Sequence, residues 1–552
     1  MRGVGLLAVG LLLAAALTAV AGPIARADGA LPTGTTTWYV DCSAASAGNG
    51  TLAHPFNSLG PANLLTLAPG DRLLLRQGTS CSGMLAPKGN GAAGHPIVIG
   101  SYPSQGAGAG AGAGAGRPAT INGGGTVVAA LWLADMSNVT VENLQLTNAG
   151  DSVGIHRGMY FTSDAGPVSD ITIRGLDVFD VDSNSSFNGG KQGGGIVGQT
   201  LSGLGRFSNV LIEGNQVHDV SRQGITVYGT TSGSRPAATS PWPQASTGVV
   251  IEGNTVERVQ GDGIVPLGTD GALVQFNVVK EGNLSGFNFL SPNMDCSAGI
   301  WTWDANNTII QYNEVSDMVY GPSTDPSSLN GCDGEGFDAD YNQDGTIIQY
   351  NYSHDNAGGF ILLCTDQSPH RVVIRYNLSI DDNATFNTAP CAGVLNPATN
   401  NLSGVAMYNN TIVAPTPRVT IELNESAAVA LESLDGSFAF QNNIVAATSA
   451  DAPNHTFPCG TNCTNNLFYK LPVPSTATNS VTADPQFIAP NLGLRASGLL
   501  AAIGFQLRPT SPALGAGVAL SSAFPPAAAH DFFGRAIANP PSLGFSEGQR
   551  QH

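Results

Sequence analysis

Residues 308–315 read TIIQYNEV, residues 346–353 read TIIQYNYS and residues 372–379 read VVIRYNLS. Apolar and polar side chains alternate in each, which is the two-residue period of a strand and not the 3.6-residue period of a helix. The same octet continues outward in both directions. Upstream stand VTVENLQL (139–146), ITIRGLDV (171–178), VLIEGNQV (210–217), VVIEGNTV (249–256) and ALVQFNVV (272–279). Downstream come VAMYNNTI (405–412) and FAFQNNIV (438–445). A repeat whose unit is one strand and its turns buries its apolar face only by stacking on its neighbours.

An Asn recurs at one position: Asn215, Asn254, Asn277, Asn313, Asn351, Asn377, Asn410 and Asn443. Stacked in successive coils, such amides hydrogen-bond up the stack as a ladder, so they are structural and carry no chemistry. Their separations run from 23 to 39 residues. The shortest sets a bare coil, and the longer ones hold inserted loops. A second strand follows many turns and opens on Gly and an apolar residue: GITVYG (224–229), GIVPLG (263–268), GIWTWD (299–304), GFDADY (336–341) and GFILLC (359–364). Two strands per coil make an all-β solenoid with several parallel sheets, a parallel β-helix.

Composition agrees. Of 552 residues only 11% are charged and 70 are Gly, too little charge and too much Gly for long helices. A formal charge of −18 with 22 Lys+Arg makes a poor holder of phosphate backbones, so no nucleic-acid partner is expected. Arg2, the apolar run Val4–Ala21 and Ala25-Arg26-Ala27 read as a signal peptide over 1–27. The mature protein is then a secreted, extracellular monomer with no membrane attachment. Eight cysteines behind a secretion signal read as disulfides. Pairing of sequence neighbours is the simplest scheme, with Cys296–Cys332 and Cys364–Cys391 each joining adjacent coils.

The repeat resembles the right-handed parallel β-helix proteins of the pectate-lyase-like superfamily. WYVDCSAASAGNGTLAHPFNSL (38–59) and APGDRLLLRQGT (68–79) look like the N-terminal cap of its secreted bacterial members, and ADPQF (483–487) and LRPTSPALGAGV (507–518) look like their C-terminal part. The resemblance spans about 37–545 and implies the right hand of the coil. It implies no particular chemistry, since the fold hosts lyases, hydrolases, transferases and binding proteins. The chain divides into a leader (1–27), a cap with the first coils (28–136) carrying a Gly-Ala insertion at 105–116, the coils (137–446), and C-terminal coils with a cap and tail (447–552).

The chemistry concentrates in two successive Gly-led strands. Residues two apart in a strand face the same way. Ile300, Thr302, Phe337 and Ala339 are expected to face the core, and Trp301, Trp303, Asp338 and Asp340 to face out. With coils about 4.8 Å apart, Trp301 neighbours Asp338 and Trp303 neighbours Asp340. The outward pairs elsewhere are Thr226/Tyr228, Val265/Leu267 and Ile361/Leu363. Exposed indoles beside exposed carboxylates suit a sugar: aromatic faces stack on pyranose rings, and carboxylates serve the glycosidic oxygen. Asp262, Asp304, Asp333 and Glu335 add acids, and Tyr341 and His354 add candidate substrate contacts. Asp304 belongs only if the turn re-aims it.

Asp338 and Asp340 should have Cα atoms about 6.6 Å apart, twice the strand rise. Glycosidases need carboxyl pairs about 5–5.5 Å apart for retention or about 6.5–9.5 Å for inversion, so spacing alone does not choose. Asp340-Tyr341-Asn342-Gln343-Asp344-Gly345 fits the first half of a calcium loop, but its twelfth position is Asn351, so a plain turn is the better reading. No cofactor is expected, with Ca²⁺ the one metal the acids would suit. Three functions follow. The first is a glycoside hydrolase of an extracellular polysaccharide, with Asp338 and Asp340 leading and Glu335 and Asp304 in reserve. The second is a polysaccharide lyase using Ca²⁺ and Lys280, Arg258 or His354 as base. The third is a non-catalytic glycan-binding protein resting on Trp301 and Trp303.

Overall fold

In the computed structural model the repeat closes into three parallel sheets. The description covers residues 35–548 other than 104–115, 151–153, 184–191, 230–243, 285–296, 320–333, 341, 364–370, 383–403, 415–438, 448–461, 494–497, 499–500 and 521–527. The leader, the Gly-Ala insertion up to 115, Asp333, Tyr341 and the Cys296–Cys332 and Cys364–Cys391 pairings lie outside it. Among the described residues the first sheet runs from Thr37–Val40 to Asn462–Thr464, the second from Ser80–Ser82 to Leu467–Tyr469, and the third from Ala129–Ala134 to Gly359–Leu363. The residues facing inward from all three form one apolar core, including Ile212, Val217, Ile225, Ile251, Val256 and Ile264.

Each octet is two strands, not one. VLIEGNQV, for instance, divides between Phe207–Glu213 of the first sheet and Gln216–Val220 of the second. The residue before the ladder Asn takes a left-handed backbone and turns the corner: φ is 61° at Gly214, 63° at Gly253, 56° at Phe276, 54° at Tyr312 and 57° at Tyr350. A coil with a third-sheet strand therefore holds three strands. Left-handed geometry costs an aromatic residue about 1–2 kcal/mol. Stacking offsets that cost, with ring centroids 5.3 Å apart for Phe276–Tyr312 and 5.1 Å for Tyr312–Tyr350.

The ladder forms at this corner. Each Asn donates through Nδ2 to the Oδ1 of the next, at 2.9 Å for Asn215–Asn254 and 3.0 Å for Asn313–Asn351. The series continues to Asn466, one coil beyond the octets read from the sequence. Each Oδ1 also accepts the main-chain N–H of the preceding ladder Asn, as Asn313 does from Asn277 at 3.0 Å. A buried amide is thereby satisfied on both sides.

The glycines opening the third-sheet strands are a steric requirement. A Cβ on Gly224, Gly263 or Gly299 would lie 2.3–2.4 Å from Cγ1 of Val256, Val279 or Val315 in the second sheet. Gly263→Ala should destabilise the protein by about 1–3 kcal/mol through overpacking, read as a lowered thermal unfolding midpoint. The last Gly-led strand departs from this pattern. Glu335 pairs with Gly359 and Asp338 with Leu362, so Ile361 faces the core and Leu362 faces out, contrary to the sequence alignment. Phe360 fills the slot that Gly336 holds one coil earlier, packing edge-on to Phe337 at 6.2 Å. The facing second-sheet column has changed from Val315 to Ser353 and Ser379, which leaves room for the ring.

The C-terminal segment returns along the corner between the first and second sheets. Asn409 donates to the Ser542 carbonyl at 2.8 Å, Asn442 to that of Val518 at 2.9 Å, and the Tyr350 hydroxyl to that of His530 at 3.0 Å. Cys42 and Cys81, sequence neighbours, form a disulfide. Cys463 is disulfide-bonded as well.

Candidate active site

The outer face of the third sheet brings the predicted pair together. Trp301 of Ile300–Thr302 sits in register with Asp338 of Glu335–Ala339. Trp303 bridges to Leu267, one position further along the same face. Ile300, Phe337 and Ala339 lie in the core as expected. The exposure does not match the sequence reading. Trp301 and Asp338 are only 3% and 4% exposed, Glu335 and Asp304 are 2% exposed, and only Asp340 and Trp303 are half-buried. Trp301 packs in a separate outer cluster with Val265, Leu267 and Ala298, flanked by Tyr228 and Trp303. The alternation identifies which way a side chain points. It says nothing of what lies over the sheet, so outward and exposed are different properties here.

A residue assigned only to the surroundings anchors the indole. Asp262, wholly buried one coil earlier, accepts the Trp301 Nε1 proton at 2.9 Å and the Ala298 main-chain N–H at 3.1 Å, both on Oδ1. Arg222, also wholly buried, feels the same carboxylate: burial pushes its guanidinium down to about 10 and Asp262 works against that shift. Sequence reasoning passed over Arg222. Its one signal is a lone cation between two strands in an arginine-poor chain, at a corner where φ is 71°. A buried acid beside a buried cation is costly to maintain, and here the acid is the one that holds Trp301.

Asp304 lies in the turn that follows its strand. The strand ends at Thr302, Asp304 has φ of 48°, and its Oδ1 accepts a proton from Asn342. In the calcium-like string, Gln343 and Asp344 are engaged elsewhere. Asp344 takes a two-point contact from Arg371 at 2.6 and 2.7 Å, and Gln343 donates to the carbonyls of Thr302 and Asp340 at 2.8 and 2.7 Å. Among the described residues no cluster of three or more His, Cys, Asp and Glu side chains could hold a metal ion.

His354 does not join the site. It lies in Tyr352–His354 of the second sheet, stacked on Tyr352 at 4.4 Å, with Nε2 3.2 Å from Glu314 and Nδ1 2.8 Å from Asp355. Positions just after the ladder Asn fall on the second sheet and not the third, which is why adjacency in sequence misplaced it. Burial opposes its charge, but the hydrogen bonds to Asp355 and Glu314 outweigh burial and raise its pKa from 6.5 to about 9. Glu314 also accepts the Gly498 N–H at 2.9 Å, tying the C-terminal segment to the coils. A raised histidine pKa contributes stability in full below 6.5 that is lost as pH rises through about 9. Thermal stability should therefore fall across that window, and His354→Gln should remove that part of the fall.

The family described as the right-handed β-helix region matches residues 204–412. Over 271 residues, 46% of this chain, the sequence is 27% identical to a lacto-N-biosidase of Bifidobacterium longum subsp. longum, and the match covers 15% of that protein. The structure is similar to that of a GH136 lacto-N-biosidase from Eubacterium ramulus, with a TM-score of 0.52 and 22% identity over 81% of this chain and 67% of that one. The selenomethionine form of the same enzyme gives 0.51 over the same shares. The fold is a right-handed parallel β-helix. The match spans about a seventh of the length of that curated relative.

Proposed function

We propose that the protein is a secreted carbohydrate-active enzyme, a glycoside hydrolase cleaving an extracellular polysaccharide or related glycan. The observation that carries this reading is the register of Trp301 with Asp338, with Asp340 two residues on along the same strand direction. An indole in register with one carboxylate, and a second carboxylate just past the end of that strand, are parts a glycosidase can use. Asp338, out of water, is assigned the proton donor to the leaving oxygen. Asp340, half-exposed, is assigned the base that activates water or the nucleophile at the anomeric carbon. Glu335 and Asp304 support the pair. The relationship to a lacto-N-biosidase favours hydrolysis of a glycosidic bond. The lyase alternative loses support from geometry, because Arg258, Lys280 and His354 all belong to the second sheet, another face from the acids.

The test is incubation of the protein with a panel of polysaccharides and amino-sugar oligosaccharides, with and without a chelator. Saturated reducing ends that form equally in both arms are the expected product. Ultraviolet-absorbing unsaturated ends would establish a lyase instead, and binding without product would reduce the protein to a glycan-binding module.

A further inference from the structure

The outward column that carries Trp301 begins much earlier on the third sheet. Trp132 pairs with Tyr160, Tyr160 with Val197, Val197 with Thr226 and Thr226 with Val265. The pairing of Ile264 with Ile300 places Trp301 next. Trp132 and Trp301 are therefore five strand spacings apart, about 24 Å. Trp132 is half-buried, tilted 32° to the Tyr160 ring at 5.7 Å, and held by its Nε1–H to Thr162 Oγ1 at 3.1 Å.

Arg157 opens the Tyr160 strand and is only 6% exposed. Its guanidinium carbon stands 3.9 Å from the centre of the Tyr160 ring. Nε donates to the Gln192 carbonyl at 2.6 Å. Nη1 reaches the Ile155 carbonyl at 3.4 Å and Nη2 reaches Gln199 Oε1 at 3.5 Å, both at the limit of a hydrogen bond. Gln199 Oε1 is taken more closely by the Tyr160 hydroxyl, at 2.7 Å. Among the described residues no carboxylate pairs with Arg157, whereas Arg76, Arg174, Arg258 and Arg371 each hold an acid within 2.6–2.7 Å. In a chain of 40 Asp and Glu against 22 Lys and Arg, a buried guanidinium that meets no acid among the described residues is poorly compensated. Burial lowers its pKa from 12.5, with the Tyr160 phenol acting the other way.

We propose that Arg157, Tyr160, Gln199 and Trp132 form a glycan subsite selective for a sugar bearing a carboxylate, distant from Asp338. The planar fork of Arg157 receives the carboxylate through Nη1 and Nη2, whose present bonds are long. The sugar ring rests against Trp132. Aromatic stacking supplies affinity without regard to charge, and the two-point guanidinium contact supplies the preference for an anion. A glycan engages this subsite and Asp338 together only if it is several sugars long. The subsite extends the hydrolase reading but does not depend on it, since binding is read without turnover.

Tryptophan fluorescence of the full chain, titrated with D-glucuronate, D-glucose and D-glucose 6-sulfate in an Asp338→Asn background, tests the proposal. The expected result is a saturable change with glucuronate, at least tenfold weaker binding of glucose, and loss of the signal in Trp132→Phe. Arg157→Met should weaken glucuronate at least tenfold in a protein that still folds, because no carboxylate among the described residues loses a counter-ion. If that variant fails to fold, Arg157→Lys keeps the charge without the fork and should still weaken glucuronate severalfold. Equal binding of glucose and glucuronate, or wild-type affinity in a folded Arg157 variant, overturns the subsite. Tighter binding of the sulfate ester overturns the carboxylate assignment. Product formation by the unmodified protein, measured separately, is untouched by either failure.

Discussion

Asp338→Asn is expected to lower turnover on the glycan substrate by roughly 10²–10⁴-fold, the range that a positioned proton donor supplies. Asp340→Asn should lose a comparable factor. Asn preserves the shape of each carboxyl but cannot pass on a proton or attack carbon, so binding should persist while kcat falls. The near-complete burial of Asp338 makes the isosteric change the right probe, because Ala would leave a void beside Trp301. Glu335→Gln and Asp304→Asn should cost less, since they are assigned to support the pair. Single-turnover rates and substrate affinity measured side by side check the set. Unchanged turnover in both Asp338→Asn and Asp340→Asn would end the assignment of these carboxylates. Equal losses of affinity and turnover would point to a binding role in place of a chemical one.

Asn313→Leu should produce the largest loss of stability. Asn313 is fully buried and receives the main-chain and side-chain protons of Asn277, while donating to Asn351 and to the Val274 carbonyl. Leucine leaves the two Asn277 donors stranded, at about 1–3 kcal/mol each, for a total of roughly 2–6 kcal/mol. The Val274 carbonyl loses the side-chain donor, and Asn351 Oδ1 keeps only the main-chain N–H of residue 313. A lowered midpoint of urea unfolding is the measurement. A loss below 1 kcal/mol would mean that the ladder is tolerated and not needed.

The stacking, the apolar core and the ladder were legible because each rests on a strict period. The corner inside each octet was not. Gly214 and Gly253 are ordinary turn residues, but Phe276, Tyr312 and Tyr350 occupy the same left-handed position, and aromatic residues carry no turn signal. Neighbouring strands were aligned correctly where Gly299 and Gly336 open them, which placed Trp301 beside Asp338. The alignment slipped at Gly359, where Phe360 took the glycine slot. Burial of the outer face was invisible, because periodicity along a strand does not report what covers it. His354 was misassigned for a related reason: sequence distance from an acid-rich strand does not tell one sheet of a solenoid from another.

The ladder has a consequence for how this scaffold can change. Ladder partners are 39, 23, 36, 38 and 26 residues apart in successive coils from Asn215 to Asn377. All of that variation falls between the second and third sheets or between the third and first. The corner before each ladder Asn keeps one fixed length throughout. Inheritance of shape and freedom to diversify are thus assigned to different sides of the molecule. Segments flanking the Trp301–Asp338 face can be lengthened, shortened or exchanged without disturbing the count of coils, so new ligand preferences are open to selection, or to a protein engineer, while the spine remains as it is.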